Sequence, residues 1–513
     1  MERILRAMQQ AGLIGIDQRA LRALAASGPE RITGDGACIY RRSIRLQDGI
    51  VYFIGTRVGM KNLYLVGERP FSSTFQGETT RAGGVSIQEA GFSPHNADRL
   101  HQVFPFTAPV SLRERKTTIG CGDRLGLATP GHIRAVREYD AAPVLAQQSV
   151  RELTLTQRTF PGIVADATFL VFQEGYEQGY GADGDHLKTI ADIDAALAAG
   201  MPMITLDLSD VMAAEPALWS AARVDEEFRK LGADTQNHVR ESYADKTFPV
   251  GSGQVSFSAL EAKRCALMYV RALDFAQEVD SYIRARRGKS YDLEISIDET
   301  TAPTLPEHHL FIAAELELRG VMVSSLAPRF VGEFQKGVDY IGDVGEFEKQ
   351  FAVHCDIARQ SGGYKISIHS GSDKFTVYPP IGKHTGMRLH LKTAGTSWLQ
   401  ALLAISRVKP ALFRRMVGKA MASFADATKL YYVTTDVTKV PPLSSLKDAE
   451  LPGLLDARDS RQLLHITYGG LLKDPEIRAD IYATLAENEE THYAAVQEHI
   501  EKHVRLLGVP RRD

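Results

Sequence analysis

Cysteine is scarce. Four residues, at positions 38, 121, 265 and 355 of 513, are too scattered for a disulfide framework, and none forms the C-x-x-C pair of a sulfur-ligated zinc site. Any metal bound by this chain would take nitrogen and oxygen ligands. Long apolar runs are also missing: no window approaches the ~18 residues of a membrane span. The opening "MERILRAMQQAGLIG" is amphipathic and lacks the apolar core of about 7 to 15 residues of a secretory signal, so the expected location is the cytoplasm. No basic block occurs, and 60 Lys and Arg against 63 Asp and Glu leave a formal net charge of -3. That balance gives no support for a nucleic-acid or membrane partner, while a few local cations would suffice for a small anionic substrate. Internal repeats and low-complexity tracts are absent. What remains, 44% hydrophobic and 24% charged residues, is the composition of a globular chain that folds throughout.

Two regions differ in texture. Residues 1–112 read as a strand-containing N-terminal module. Within it, residues 37–66 alternate apolar and polar side chains around Asp48-Gly49, a strong hairpin signal. Over residues 113–513, short strand-like runs alternate with helical stretches. Strands are expected at 117–125, 143–148, 168–173, 202–208, 291–298, 321–326, 364–369 and 388–392. Thr129-Pro130 reads as the start of one intervening helix, and Gly320 as the end of another. Eight strands alternating with helices predict an α/β fold of the (β/α)8 TIM-barrel type, although a large open α/β sheet would give a similar string. An excursion with a hairpin-like end is expected over 221–257, and a helical cover beyond 395.

The strands carry the chemical signal. Leu293, Ile295 and Ile297 alternate with Glu294, Ser296 and Asp298; Ile366 and Ile368 with Lys365, Ser367 and His369; Leu389 and Leu391 with Arg388, His390 and Lys392. Period two sends these sets to opposite faces, and with helices outside the barrel the polar sets must point inward. Such an interior is costly to desolvate unless its groups are paired or ligated; the choices are an internal salt-bridge network or a catalytic site. His369 and His390, near the carboxyl ends of neighbouring strands, suggest metal ligation. The stretch "GYGADGDHLK" (179–188) reads as a glycine-shaped loop that delivers Asp183, Asp185 and His186 to the same mouth, where His186 would complete a three-nitrogen site with open positions. Asp185 could be an acid/base group or cap its own turn. Glu294 could transfer protons with a raised pKa or pair with Lys365. Arg329, Asp373 and Lys374 follow strands six and seven, in positions suited to a sugar or carboxylate. "GSGQVS" (251–256) lacks the strand and helix of a dinucleotide loop, so no nucleotide cofactor is expected.

The stretches "GDRLGLATPGHIRA", "AQQSVRE", "FQEGYEQGYGADGDHLK", "SIDETTAPT", "GYKISIHSGSDKFTVYP", "HLKTAGTS" and "LLHITYGGLLKD", in order over about residues 117–505, resemble the tagaturonate/fructuronate epimerase family of bacterial hexuronate catabolism. Cys121 stands where a small unreactive residue would be expected, and the first 110 residues carry no matching motif. The resemblance implies a metal-dependent, nucleotide-free interconversion of D-fructuronate and D-tagaturonate. It makes Asp185 the proton acceptor, Glu294 the proton donor and His186 a metal ligand, with His369 and His390 the geometric choice to complete the site. Gln147, Arg329, Lys365, Asp373, Lys374 and Lys392 are the expected substrate contacts. Imidazole ligands suit zinc, manganese, nickel or iron. The two sugars differ at ketose carbon 4, whose C–H bond the ketone does not acidify, so retro-aldol cleavage and re-addition is the expected route. Another metal-dependent barrel isomerase or aldolase acting on an acid sugar, and a catalytically silent sugar-acid sensor, are the competing readings. A second copy of the chain is admitted as a partner.

Overall fold

A computed structural model describes residues 2–26, 30–34, 36–57, 59–68, 74–298, 302–393 and 395–512. In the N-terminal region seven strands form an antiparallel sheet, ordered Arg31–Gly34, Ala37–Tyr40, Ile50–Arg57, Met60–Gly67, Val85–Ala90 and Glu78–Ala82, with Arg45–Gln47 pairing Ile50–Arg57 off this path. The expected Asp48-Gly49 turn joins those last two. Both residues are left-handed, at φ 52° and 74°, as a two-residue type I′ hairpin requires. One face of the sheet, through Ile39, Phe53 and Ile87, buries Ile4 and Met8 of the helix Glu2–Gln10. The other face, through Tyr52, Leu63 and Leu65, packs on Phe169 and Phe172 of the helix Phe160–Glu174. Alternation along the strands thus docks the module on the second region.

That second region is a closed barrel of eight parallel strands: β1 (Thr117–Gly120), β2 (Ala142–Ser149), β3 (Gly181–Leu187), β4 (Met203–Asp207), β5 (Asp292–Ser296), β6 (Val323–Ala327), β7 (Lys365–Ile368) and β8 (Leu389–Lys392). The outward apolar residues, among them Leu293, Ile295, Ile366, Ile368, Leu389 and Leu391, are buried under the helical ring.

One expected strand is a helix and one expected loop is a strand. Residues 168–173 lie in the buried helix Phe160–Glu174, apolar nearly all round because the N-terminal sheet covers its outer face. β3 is instead cut from "GYGADGDHLK". A Cβ at Gly184 would lie 2.8 Å from Leu187 and 2.9 Å from Ala196, and one at Gly181 would lie 3.0 Å from Leu112 and Val144. The glycines serve close packing rather than a loop.

The excursion before β5 holds the helices Ala221–Phe228 and Ala233–Ser242 and a hairpin, Thr247–Val250 with Gly253–Ser256, that includes "GQVS". The C-terminal helices are more than a cover. Trp398, Leu402, Phe413, Leu463 and Tyr468 belong to a hydrophobic core of their own, whereas Glu489–Leu507 adds Val496, Ile500 and Val504 to the barrel core.

Candidate active site

The polar side chains inside the barrel lie at three levels. At the floor, the ammonium of Lys365 donates to the Leu112 carbonyl at 2.7 Å, and Asp292 accepts from Ser111 Oγ at 2.6 Å and the Leu112 amide at 2.7 Å. Burial pushes the Lys365 pKa down to about 8, against the pull of Asp292.

In the middle, Glu294 accepts hydrogen bonds from Ser325 Oγ at 2.6 Å and His369 Nε2 at 2.7 Å, with Lys392 Nζ at 2.8 Å and Thr205 Oγ1 at 3.2 Å. Asp183 faces Thr205 and Gln147 Nε2, each at 3.0 Å. His390 lies 2.9 Å from Thr118 Oγ1 through Nδ1 and 3.4 Å from Gln147 Nε2 through Nε2, so both ring nitrogens are engaged. Burial pushes the His390 pKa down to about 3 despite Glu294, and pushes Asp183 up to about 6 despite Lys392. Glu294 runs opposite to the raised pKa expected of it: burial would raise it, but Lys392 and then His369 hold it well below the usual carboxylate range.

At the mouth, Lys392 donates to Asp185 Oδ1 at 2.6 Å, and this ammonium, with His186 and His369, keeps Asp185 ionised in spite of burial. The β3–β4 register shifts between Gly184 and Leu187, and His186 adopts φ 51°. This bulge lets two successive side chains, Asp185 and His186, both face the cavity, whereas regular pleating would send them to opposite faces of the sheet. One atom each of His186, Asp298 and His369 lie within 4.8 Å of one another. His369 gives Nε2 to Glu294, which leaves Nδ1 facing Asp298 Oδ1 at 2.9 Å, and His186 Nδ1 faces Asp207 Oδ2 at 3.4 Å. Among the described residues His369 Nδ1, His186 Nδ1 and Asp207 Oδ2 are buried without a hydrogen-bond partner. His186, Asp298 and His369, two imidazoles and a carboxylate whose ligand atoms converge, form a set that could hold a divalent cation.

Asp185, His186, Asp298, His369 and Lys392 line a cavity of about 440 Å³. Arg329 and Lys336, from the stretch after β6, and Leu430–Tyr432, from the C-terminal region, form part of its wall. The other expected residues lie elsewhere. Gln147 and Glu294 are buried beneath the cavity, and His390, level with Ser367 in the β7–β8 register, sits two residues below His369 and outside the His186–Asp298–His369 group. Lys365 opens its strand and so falls at the opposite end of the barrel. Asp373 turns toward Arg461 Nη2 and His499 Nε2, each at 3.0 Å, and Lys374 donates to the carbonyls of Gln335, Val338 and Ser372 at 2.8, 2.6 and 2.9 Å. Neither lines the cavity. Asp298 was signalled by its phase with Glu294 and Ser296; Lys336, in an irregular stretch, had no comparable signal.

Charged, partly unpaired groups gathered at the carboxyl end of a (β/α)8 barrel define an enzyme of that fold. The model of the tagaturonate epimerase family matches residues 40–507. The chain is 39% identical over 476 residues to the tagaturonate/fructuronate epimerase of Thermotoga maritima, covering 92% of this chain and 98% of that protein. A crystal structure of fructuronate-tagaturonate epimerase from Cohnella laeviribosi with one glycerol superposes with a TM-score of 0.88 at 43% identity, over 92% of this chain and 96% of that one. Its native form gives 0.87 at 42% identity, over 98% and 100%. The chain belongs to the tagaturonate epimerase family and is an isomerase.

Proposed function

We propose that the protein interconverts D-tagaturonate and D-fructuronate by inverting ketose carbon 4, in the cytoplasm, with a divalent metal ion held by His186, Asp298 and His369 and without a nucleotide. The observation that supports this most is the meeting of an ionised Asp185, Lys392 and the two-histidine, one-carboxylate group in one cavity of a chain from this family. Zinc, manganese, nickel or iron would suit that donor set and act as a Lewis acid on the substrate carbonyl.

Asp185 takes the proton of the carbon 4 hydroxyl. The C3–C4 bond then breaks, leaving an aldehyde at carbon 4 and its electron pair on the ketone-bearing fragment. Rotation of the aldehyde offers its other face, the bond re-forms, and the new carbon 4 alkoxide regains a proton. Lys392, bonded to both Asp185 and Glu294, carries that proton at the cavity surface. Asp185, protonated in the first step, returns its proton to Lys392 across their hydrogen bond; Glu294 lies below and is ionised, so it has no proton to give and instead holds Lys392 in place.

The test is to incubate chelator-treated enzyme with D-tagaturonate, with and without added zinc, manganese or nickel, following products by chromatography and bound metal by elemental analysis. Fructuronate formed only with metal, together with a trapped three-carbon aldehyde acid, is the expected result. Folded enzyme that binds metal yet turns over no tagaturonate would sink the proposal.

A further inference from the structure

The charges around the cavity do not balance locally. Each wall or floor anion has a partner within the fold: Asp185 has Lys392, Asp298 has His369, and Glu152 accepts from Arg124 Nη2 at 3.1 Å. Two wall cations are different: among the described residues the side chains of Lys336 and Arg329 have no hydrogen bond or ion pair, and of the two Lys336 lies beside Glu152 and Asp185. Burial lowers its pKa from the ordinary lysine value, although Glu152 and Asp185 pull the other way.

Its backbone is held with unusual completeness. Lys374 donates to the carbonyls of Gln335 and Val338, Gln462 Nε2 to that of Lys336 at 3.1 Å, and Arg461 Nε to that of Gly337 at 2.7 Å. The Gln335 side chain is gripped by Thr434 and Gln462. Asp373 in turn holds Arg461. Four consecutive residues fixed from two distant segments make a rigid mount, and the side chain it presents is an unpaired cation. A half-buried ammonium kept from every internal anion is arranged for an external one.

We propose that Lys336 binds the substrate's carboxylate and so selects acid ketoses over neutral ones; the inference rests on the sugar-acid reading of the site. Lys374 and Asp373 then act as positioning residues for this mount.

Wild-type, K336Q and K336R enzymes, each shown folded by its thermal midpoint, are titrated calorimetrically with D-tagaturonate and with D-tagatose, which carries CH2OH in place of the carboxylate. Turnover of both sugars is followed in parallel. Losing one charge-assisted hydrogen bond should weaken tagaturonate binding by K336Q about 10- to 100-fold. Tagatose binding should stay within about twofold, KM should rise more than kcat falls, and K336R should recover most of the loss. K336Q that binds tagaturonate as wild type does, or loses both sugars equally, overturns the inference, as does a wild type that binds neither. Wild type that binds tagaturonate through Lys336 without converting it refutes the epimerase reading alone, whereas conversion with unaltered selectivity in K336Q refutes the carboxylate contact alone.

Discussion

At the floor of the barrel Lys365 and Asp292 are shut in: the ammonium meets the Leu112 carbonyl and the carboxylate meets Ser111 and the Leu112 amide, so the segment before β1 acts as a plug. At the mouth, residues of the same kinds are gathered more densely, yet His186, His369 and Asp207 keep atoms without a hydrogen-bond partner. Both ends are charged and buried, so charge in the interior does not separate structure from function. Between these two ends the separation comes from counting partners atom by atom: the charged groups at the floor are satisfied, and those at the mouth are so only in part.

The largest way to test this contrast is at Asp185. Asp185→Asn should lower kcat about 1,000-fold, the scale of losing a general base, with little change in thermal midpoint because Lys392 retains Glu294; a milder loss would show that the base lies elsewhere. Next comes the cation. His369→Ala should lose bound metal, with affinity down at least about 100-fold, while His390→Ala should keep it, because His390 sits one level below the His186–Asp298–His369 group. Elemental analysis that finds the reverse would move the metal site down one level. Lys365→Met strands a buried carbonyl at the floor and should cost about 1 to 3 kcal/mol in denaturant unfolding with kcat/KM unchanged.

The smallest effect per residue is that of pH. His132, His354 and His492 have pKa values pushed down by burial to about 4, and His503 to about 3. Between their folded values and about 6.5 the unfolded chain binds more protons, so stability must fall as pH drops through that window, by up to about 1.4 kcal/mol per unit for each. Asp166 and Asp183, raised by burial to about 6, work the other way between about 6 and 4 but are fewer. A thermal midpoint that holds steady from pH 6.5 to 5 would contradict the assignment. At the mouth the sign reverses: burial would lower His369, yet Asp298 holds it up at about 9.

Much of the fold was legible because seven barrel strands carry alternation or an apolar run bounded by breakers. β3 was not, since its residues are chosen for lack of bulk and for function, and strand propensity measures neither. Conversely, the apolar run at 168–173 imitated a strand because a second layer covers that helix. Within the site, phase along a strand told which residues enter the barrel but not how deep: Lys365 and His369 share a face of β7 and serve opposite ends. Asp373 and Lys374 sit past the end of β7, where Asp373 is left-handed at φ 63° and the chain veers to the C-terminal helices. Only tertiary contacts reveal that turn.

The mount of Lys336 also bears on the order in which the working site comes into being. Its clasp, Arg461 and Gln462, is synthesised on the order of several seconds after β8, so a nascent chain holds all eight barrel strands while the wall of the cavity is still unfastened. During that interval the strands that carry the acid and the histidines exist without the wall to which the proposal above gives discrimination, so on that proposal selectivity is acquired after the strands and not with them.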